Sequence, residues 1–438
     1  MPSRNEVELH NSHKDCWVVI HNKAYNLTEF AKEHPGGSKI IYKFAGKDAT
    51  NEFSKFHPPD MMDRFLKKEF HLGSTETIQP NSCKTRMEAI PRPPLSSILN
   101  TFDFESIAKE VLSPDAWAYY SSGSGDEITL QENHQAFNRI FMKPRVLVNV
   151  KKVDTSVELL GTASALPIYI TATALGKLGH PEGEVVLTRA AGTRGIIQMI
   201  PTLASCSIDE MVAAKLPQQA QWFQLYVNPN RNLTIDIIQK AEKLGVKALV
   251  VTIDAPQLGR REKDMRVKFE NDAPDVQATE SLSRNEGAAR AIAHFIDPSL
   301  SWDDLKWIKA CSNLPLILKG IQCGEDAVLA AQAGIEAIII SNHGGRQLDT
   351  SRSAVEVLQE VTQALKHSKL ENALEIYIDG GIRRGTDIFK ALALGAKAVG
   401  LGRPFLYAMS SYGQRGVEHL IVIGLNDRIY CAKSLKLP

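Results

Sequence analysis

Long apolar runs, closely spaced cysteines and an excess of charge of either sign are all missing from this sequence of 438 residues. No stretch reaches the roughly 20 consecutive apolar residues that a membrane-spanning helix needs. The formal net charge is +1, so the chain as a whole gives no charge argument for binding nucleic acid or an anionic membrane. These absences leave small-molecule chemistry as the class of function to look for.

The cysteines argue against a disulfide framework, because none of the six forms a C-x-x-C pair. They are Cys16, Cys83, Cys206, Cys311, Cys323 and Cys431. Their scatter predicts reduced thiols in an intracellular protein. The first residues lack an apolar signal core, and Glu6 and Glu8 are acids that a basic transit peptide avoids. The expectation is therefore a soluble, cytoplasmic protein.

Two unlike domains are expected, because the composition changes between residues 74 and 94. The chain is longer than one average domain, and its 43% hydrophobic content is ordinary for a globular protein. Residues 79–82 and 91–94 are polar or proline-rich and show no periodicity, which indicates a linker. We predict a small domain over residues 1–75, a linker over residues 76–100 and a larger domain over residues 101–438.

Downstream of the linker, short apolar runs alternate with helical patterns such as residues 230–244, 324–333 and 385–394. The runs are residues 167–172, 195–200, 221–227, 247–253, 315–319, 336–341, 375–379 and 397–401. Eight such β-α units predict a closed (β/α)₈ TIM barrel. An open doubly wound sheet is the alternative. Residues 255–301 are too long and too charged for an ordinary loop, and they predict a mobile lid.

The most informative stretch is residues 338–349, where an apolar run delivers His343 and Arg346 onto a turn. Gly344 and Gly345 let the backbone turn sharply enough for the two side chains to converge. A base beside a guanidinium is typical of catalysis on an anionic substrate. The alternative is a histidine with satisfied hydrogen bonds at the end of a strand.

Polar or glycine-rich residues recur just after the predicted strands, which is the end where barrel active sites lie. They are Thr171, Ala172, Thr173, Ala174, Gln224, Tyr226, Thr252, Asp254, Lys319, Asn342, His343, Arg346, Asp379, Gly380, Gly381, Arg383, Gly400, Gly402 and Arg403. The groups after the seventh and eighth runs lie where barrels commonly bind phosphate through backbone N–H groups. Each group alone could be a plain turn or a solvated strand end. Their shared position favours one site.

With these motifs in view, residues 102–416 resemble the FMN-dependent L-2-hydroxy-acid oxidising family, which includes glycolate oxidase and lactate oxidase. The resemblance rests on four ordered motifs at residues 118–123, 252–256, 341–349 and 379–387. It implies a barrel that binds FMN and oxidises a small 2-hydroxy acid.

The resemblance also implies a role for each matching residue. His343 would be the active-site base, with Asp254 stabilising its imidazolium, and Arg346 would bind the substrate carboxylate. Tyr119 and Arg261 would assist at the carboxylate, Tyr226 would bind the substrate hydroxyl, and Lys319 would stabilise the reduced flavin. The implied FMN-binding residues are Lys319 with Thr171, Ala172, Thr173, Ala174, Gln224, Thr252, Asp379, Gly380, Gly381, Arg383, Gly402 and Arg403.

The chemistry independently needs a proton acceptor beside the carbinol carbon, and His343 is the candidate with a suitable pKa. It could take the carbon-bound proton, or the hydroxyl proton during hydride transfer. Both routes assign the same residue.

The N-terminal domain carries a second set of motifs, at residues 15–20, 25–30, 34–37, 45–50 and 56–57. In this order they resemble the cytochrome b5 fold. The resemblance implies a haem b whose two axial ligands are His34 and His57. With both positions filled by protein, the haem would carry electrons and do no chemistry. The alternative is that residues 34–37 are a bare turn and His57 is an exposed histidine.

A haem domain fused to a hydroxy-acid flavin domain resembles the cytochrome-type L-lactate dehydrogenases of this family. This implies that electrons pass from L-lactate through FMN and haem to cytochrome c. Ala174 and Leu203 match the lactate-type enzymes, whereas glycolate oxidases have tryptophan at the position of Leu203. Two alternatives stay open, an oxidase that uses oxygen and a haem electron carrier with an inactive barrel. The family further implies a homotetramer and, as an alternative location, the mitochondrial intermembrane space.

Two departures from the family pattern lead to further expectations. Pro201 stands where the family usually has a serine, which removes one hydrogen bond to the flavin. Residues 420–427 replace the expected last barrel helix, so we expect the C-terminal helix and tail to be truncated or altered. A missing helix would expose apolar barrel surface and weaken both closure and subunit assembly.

Overall fold

The computed structural model describes residues 2–34, 37–75, 90–147, 149–271 and 295–435. Its N-terminal unit is a four-stranded antiparallel sheet in the order β1-β2-β3-β4, with short helices packed around it. The elements are β1 (Asn11–Ser12), β2 (Asp15–Ile20), β3 (Lys23–Asn26), β4 (His71–Ser74), α1 (Arg4–Leu9), α2 (Phe30–Glu33), α3 (Ser38–Tyr42), α4 (Thr50–Phe56) and α5 (Met61–Phe65). Val18, Ile20 and Tyr25 lie in its small core.

Three helices and a hairpin precede the barrel, namely α6 (Thr101–Val111), α7 (Pro114–Ser121), α8 (Ile128–Asn138), β5 (Val157–Leu159) and β6 (Thr162–Ser164). Asn100 caps α6 in a reciprocal capping box with Asp103, which satisfies N–H groups that the helix itself cannot. The hairpin places Leu159 in the apolar interior of the barrel, so it covers the end opposite the predicted site.

Eight parallel strands close into a barrel, which confirms the predicted fold. They are β7 (Ile168–Ile170), β8 (Ile197–Pro201), β9 (Gln221–Leu225), β10 (Ala248–Thr252), β11 (Leu316–Ile321), β12 (Ala337–Ile340), β13 (Glu375–Asp379) and β14 (Ala398–Leu401). Each pairs with its sequence neighbours, and β14 pairs with β7 to close the ring. All eight predicted runs therefore correspond to strands.

Helices pack outside the strands, and the three that were predicted are confirmed within two residues at each end. The helices are α9 (Glu184–Arg194), α10 (Ile208–Ala213), α11 (Arg231–Lys243), α12 (Glu262–Asn271), α13 (Asp304–Ala310), α14 (Gly324–Gln332), α15 (Ala354–His367), α16 (Gly385–Ala393) and α17 (Arg403–Leu435). The larger core lies between this layer and the strands, whereas Tyr169, Trp222 and Tyr377 fill the barrel interior.

The end of the chain corrects one prediction. Residues 420–427 do not interrupt the last β/α unit, because α17 continues through them, with a break in helical geometry at Tyr412 and Gly413. Val417, Leu420 and Ile421 are buried, and the helix packs against α6, α9 and α16. The expectation that residues 420–427 replace the last barrel helix is therefore wrong, whereas the expectation of a truncated or altered tail stays a prediction.

Two sequence predictions fall partly outside the described residues. The predicted lid begins as a loop and then α12, but residues 272–294 lie outside the described part of the chain. The same holds for residues 76–89 of the predicted linker. Among the helices that are described, none is both long enough and apolar enough to cross a membrane.

The two units touch through α4. This helix contacts the short turn Gly176–Leu178 that follows β7, and Phe56 packs on the large core of the barrel. His57 caps the C-terminus of α4. The contact therefore places one predicted haem ligand next to a loop that leads from the mouth of the barrel.

Candidate active site

A cavity of about 240 Å³ opens at the C-terminal ends of the barrel strands. It gathers nearly all of the predicted flavin and substrate residues, although they are spread over almost 300 positions of sequence. The predicted residues that line it are Tyr119, Thr171, Ala172, Thr173, Ala174, Leu203, Gln224, Tyr226, Arg261, Lys319, His343, Arg346, Asp379, Gly380, Gly381, Arg383, Gly402 and Arg403. The other two, Asp254 and Thr252, contact lining residues from below.

His343 and Asp254 form the central pair, with 2.7 Å between His343 Nδ1 and Asp254 Oδ1. A carboxylate can only accept, so Nδ1 carries the proton and Nε2 keeps its lone pair. Nε2 lies 3.4 Å from the Tyr226 hydroxyl, on the cavity side. Burial lowers the pKa of His343 and outweighs the opposing effect of Asp254, which keeps the imidazole neutral and able to accept a proton.

The turn that presents His343 is held in a rare backbone conformation. His343, Gly344 and Gly345 all have positive φ, of 59°, 64° and 74°. A Cβ at Gly345 would lie 2.5 Å from the backbone nitrogen of Leu130, so glycine is required there by the close approach of α8. Asn342, which precedes His343, exchanges two side-chain hydrogen bonds with the buried Asn133 of α8. The turn is thereby fixed from outside its own strand.

Lys319 lies beneath the cavity between two carboxylates. Its Nζ is 3.7 Å from oxygens of both Asp254 and Asp379, and its side chain is 5% exposed. Burial alone would lower the pKa of Lys319, but the two carboxylates together raise it. The buried amine therefore stays cationic and supplies a fixed positive charge at the cavity floor.

A pair of cations, Arg346 and Arg261, lines the same cavity as His343. The guanidinium groups of Arg346 and Arg261 both lie over the ring of Tyr119, at 5.1 and 5.5 Å from its centroid. Nη1 of Arg346 is held by the carbonyls of Tyr119 and Ser122. Burial and the nearby Arg261 lower the pKa of Arg346 to about 9. Two crowded cations in one pocket favour the binding of an anion such as a carboxylate.

The loops after β13 and β14 form a cradle with close backbone approach. Gly381 has φ of 79°, and a Cβ there would lie 1.9 Å from the carbonyl oxygen of Asn133. In the loop that follows β7, Thr173 Oγ1 is buried and has no hydrogen-bond partner among the described residues. An unpaired hydroxyl in a cavity wall is costly unless a ligand pairs with it, which fits a polar molecule such as FMN.

The two arginines of these loops, Arg383 and Arg403, already donate hydrogen bonds to the protein, whereas the sequence suggested two guanidinium groups free to bind a phosphate. Arg383 donates Nε to Thr101, pairs with Glu105 and stacks on Phe102. Arg403 donates to the backbone carbonyls of Tyr120, Ser122 and Gly344. Both line the cavity but are anchored by these contacts, so they also hold the loops together.

Sequence reasoning missed several residues that shape the site. Ser341, Asn133 and Thr202 all bond directly to predicted site residues or their neighbours. Thr202 follows Pro201, and it donates to Gln224 through its backbone N–H and its hydroxyl. Ser341 stands inside the most informative motif, which was the available signal. Asn133 lies 209 positions from its partner and gave none.

The N-terminal unit brings His34 and His57 together, with 6.2 Å between the ring centroids and 73° between the ring planes. That spacing leaves room for one metal ion bonded to both rings at about 2 Å per metal–nitrogen bond. His34 Nδ1 lies 3.2 Å from the carbonyl of Gly37, which leaves Nε2 for a ligand role. Burial, with a smaller effect of His34, lowers the pKa of His57 to about 4. Both imidazoles are thus neutral, as metal ligands must be.

Comparisons with known proteins identify the family of each part of the chain. Residues 108–428 match the model of the FMN-dependent dehydrogenase family, and residues 3–76 match that of the cytochrome b5-like haem/steroid binding domain. The chain belongs to the FMN-dependent dehydrogenase family. The predicted family and the predicted cofactors, FMN in the barrel and haem in the N-terminal unit, are therefore confirmed.

Two curated relatives match this chain over both the N-terminal unit and the barrel. An L-lactate dehydrogenase (cytochrome) of Wickerhamomyces anomalus is 52% identical, over 97% of this chain and 75% of that protein. The protein of the same name from Saccharomyces cerevisiae is 48% identical, over 98% and 76%. Among solved structures, a flavocytochrome b2 variant with pyruvate bound is 49% identical with a TM-score of 0.73, covering 79% of this chain and 85% of that one.

Proposed function

We propose that this protein oxidises L-lactate to pyruvate and passes the electrons through its haem to cytochrome c. One observation carries the proposal. A neutral histidine base, paired with a buried aspartate, faces the same cavity as two crowded arginines, in a chain that also carries a bis-histidine site. The names of the two relatives described above support L-lactate as the substrate and a cytochrome as the acceptor.

Oxidation of an alcohol carbon removes two electrons and two protons. When bound, FMN would supply the acceptor for the two electrons and one of the protons, His343 would take the other proton, and haem would supply a one-electron relay. We assign the FMN site to the cavity wall built by Gln224, Thr252 and Lys319 together with the residues of three strand-end loops. Those loop residues are Thr171, Ala172, Thr173, Ala174, Asp379, Gly380, Gly381, Arg383, Gly402 and Arg403. The charge of Lys319 would favour the flavin in its negatively charged, reduced form.

Substrate binding follows from the charges of the pocket. Arg346 would hold the carboxylate with the donors that the carbonyls of Tyr119 and Ser122 leave free, supported by Arg261. The Tyr226 hydroxyl, next to His343 Nε2, would hold the substrate hydroxyl. This places the proton to be removed beside the histidine lone pair.

Proton removal would then follow ordinary general base chemistry. His343 would take one proton at Nε2 and become an imidazolium. Asp254, already bonded to Nδ1, would stabilise that positive charge without moving. Burial raises the pKa of the Tyr226 hydroxyl well above its usual range, so it acts as a hydrogen-bond donor and not as a second base.

The preference for a small acid rests on two side chains. Ala174 and Leu203 line the same cavity, and they would enclose the methyl group of lactate. A bulkier side chain on the substrate would have to displace Leu203. A two-carbon acid would leave part of the pocket unfilled, which lowers affinity by lost apolar burial.

The electron route we propose runs through the contact between the two units. Ala174 lines the cavity, the turn Gly176–Leu178 follows it, and that turn contacts α4. Phe56 packs on the barrel core and immediately precedes His57, which would hold the haem iron together with His34. Cytochrome c as acceptor and a homotetrameric assembly belong to this proposal. Light scattering of the purified protein measures the assembly.

A single spectroscopic experiment tests the activity. The visible spectrum of the purified protein, loaded with FMN and haem, is recorded before and after L-lactate or D-lactate. We expect both flavin and haem bands to change with the L isomer alone. If neither chromophore is reduced by L-lactate, the proposal is wrong. Hydrogen peroxide formation that persists after the haem ligands are replaced would favour an oxidase, and protein that keeps haem but not FMN would favour a plain electron carrier.

A further inference from the structure

Ser341 joins the catalytic turn to the floor of the cavity. It lies directly after β12 and is 1% exposed. Its Oγ is 2.5 Å from Asp379 Oδ1, 3.2 Å from Lys319 Nζ and 3.0 Å from the backbone nitrogen of His343. One hydroxyl thus contacts three residues of the proposed function. They are His343, the proposed base, Lys319, the proposed positive charge at the flavin, and Asp379, a proposed FMN-binding residue.

The direction of each bond at this hydroxyl follows from the chemistry of its partners. The Lys319 ammonium and the His343 backbone N–H can only donate, so they occupy the two lone pairs of Oγ. The single hydroxyl proton must therefore go to Asp379, which as a carboxylate can only accept. The short distance to Asp379 is typical of such a charge-assisted bond. The hydroxyl has no freedom to turn.

The Ser341 hydroxyl helps to hold two groups in place, the backbone of His343 and the ammonium group of Lys319. His343 has a positive φ, a conformation that a residue with a side chain adopts only when its surroundings hold it there. The bond from its N–H to Ser341 provides part of that hold. Lys319 is drawn towards both Asp254 and Asp379, and the bond to Ser341 sets where between them it lies.

We propose that Ser341 is a positioning residue that sets the His343 turn and the Lys319 cation together, so that proton acceptance and charge at the flavin are adjusted by one hydroxyl. This inference rests on the proposed function for the roles of those two residues. The inference goes beyond the proposed function because it predicts that a single variant changes both the rate of flavin reduction and the midpoint potential of the flavin. A serine that merely fills space would change neither.

The test compares Ser341→Ala and Ser341→Thr in the holoenzyme loaded with FMN and haem. For Ser341→Ala we expect flavin reduction by L-lactate to slow by about 30-fold, with KM changed less than threefold, because the substrate-binding arginines are untouched. We also expect the equilibrium for flavin reduction to weaken by about tenfold, a fall of about 30 mV in the two-electron midpoint potential. Ser341→Thr keeps the hydroxyl, and we expect it to restore both quantities to within a few-fold of the original.

The matched control is Ser411→Ala. Ser411 is also fully buried, but its hydroxyl makes a single hydrogen bond, to the carbonyl of Phe104, and it lies away from the cavity. We expect it to leave rate and potential unchanged. An unchanged potential in Ser341→Ala, equal losses in the alanine and threonine variants, or an equal loss in the control would each overturn the proposal. Because the potential is measured without lactate, it still tests Ser341 if the unaltered protein does not oxidise lactate.

Discussion

His343 in the barrel and His57 in the N-terminal unit are both imidazoles whose pKa lies below the ordinary histidine value, yet the groups around them differ in kind. His343 is bonded to Asp254, and its backbone is tied to Ser341, so its position and its tautomer are set by the protein. His57 faces aromatic rings, Phe53 and His34, and no described carboxylate orients its ring.

The two sites obtain their order in different ways. The His343 turn in the barrel is held by charges and hydrogen bonds from distant parts of the chain, so the protein itself supplies its order. The pair His34 and His57 would be completed by an iron between them, because two neutral imidazoles 6.2 Å apart gain nothing from each other. Catalysis needs the first kind of site, whereas electron transfer can use the second. Variants that separate the two kinds of order test this comparison.

Replacing His57 by Ala should have the largest effect. With one axial ligand gone we expect haem binding to fail and cytochrome c reduction to be abolished, while L-lactate still reduces the flavin at a rate within twofold of the original. Haem absorbance and the two rates, measured on the same preparation, check this. The matched control is His13→Ala, which removes an exposed histidine of the same unit and should change none of them. A loss of flavin reduction in His57→Ala would contradict the independence of the two sites.

Replacing His343 by Gln should give the converse result. Glutamine keeps a polar group of similar size but cannot accept the proton, so we expect flavin reduction by lactate to fall by about 10²- to 10⁴-fold. Haem binding and the haem spectrum should be unchanged. Stopped-flow absorbance measures the rate, and His367→Gln, at an exposed histidine in the last turn of α15, is the control. A rate within threefold of the original would show that another group is the base.

The two sites also differ in how far the sequence could predict them. The barrel strands were predicted because strands buried on both faces read as continuous apolar runs, as residues 338–340 do. The motif around His343 identified the base, but its tie to Asn133 through Asn342 spans 209 positions and leaves no local signal. The anchoring of Arg403 by three backbone carbonyls is equally invisible in sequence.

The last helix shows a prediction that failed for a physical reason. The stretch around Ile421 to Gly424 is rich in β-branched residues and contains glycine, both of which have low intrinsic helix propensity. However, Val417, Leu420 and Ile421 are buried at spacings of three and four, which is the period of one helix face. Packing of that face against α6 and α9 outweighs the weak local preference.

Replacing Arg346 by Lys should have a smaller effect than either histidine variant. The positive charge is kept, but lysine cannot form two parallel bonds to a carboxylate or hold the carbonyls of Tyr119 and Ser122 at the same time. We expect kcat/KM for L-lactate to fall by about 10- to 100-fold, as the loss of one charge-assisted hydrogen bond implies. Steady-state kinetics check this against Arg352→Lys, whose side chain pairs with Glu360 at the surface. Equal kinetics in the two variants would contradict the proposal that Arg346 binds the substrate carboxylate.

The smallest expected effect concerns acid sensitivity, and it is the sharpest test of a ligand-completed site. In the haem-free chain the pKa of His57 is lowered to about 4 by burial, and that of His34 is lowered in the same direction. The unfolded chain takes up protons at the ordinary histidine pKa of about 6.5, while the folded unit does not. Stability of the N-terminal unit is therefore lost as pH falls from about 6.5 towards 4, and it is fully present above that range.

Iron bonded to both rings blocks their protonation, so the haem-bound chain should lose less stability over the same range. Hydrogen exchange of the β2 amides, corrected for the intrinsic effect of pH on exchange, measures the stability of this unit within the full chain. We expect a steeper pH dependence without haem than with it, and a shallower one in haem-free His57→Gln. If the glutamine variant keeps the full pH dependence of the unaltered haem-free chain, His57 is not the group that responds to acid. The acid sensitivity would then give no support to the proposal that iron completes the site formed by His34 and His57.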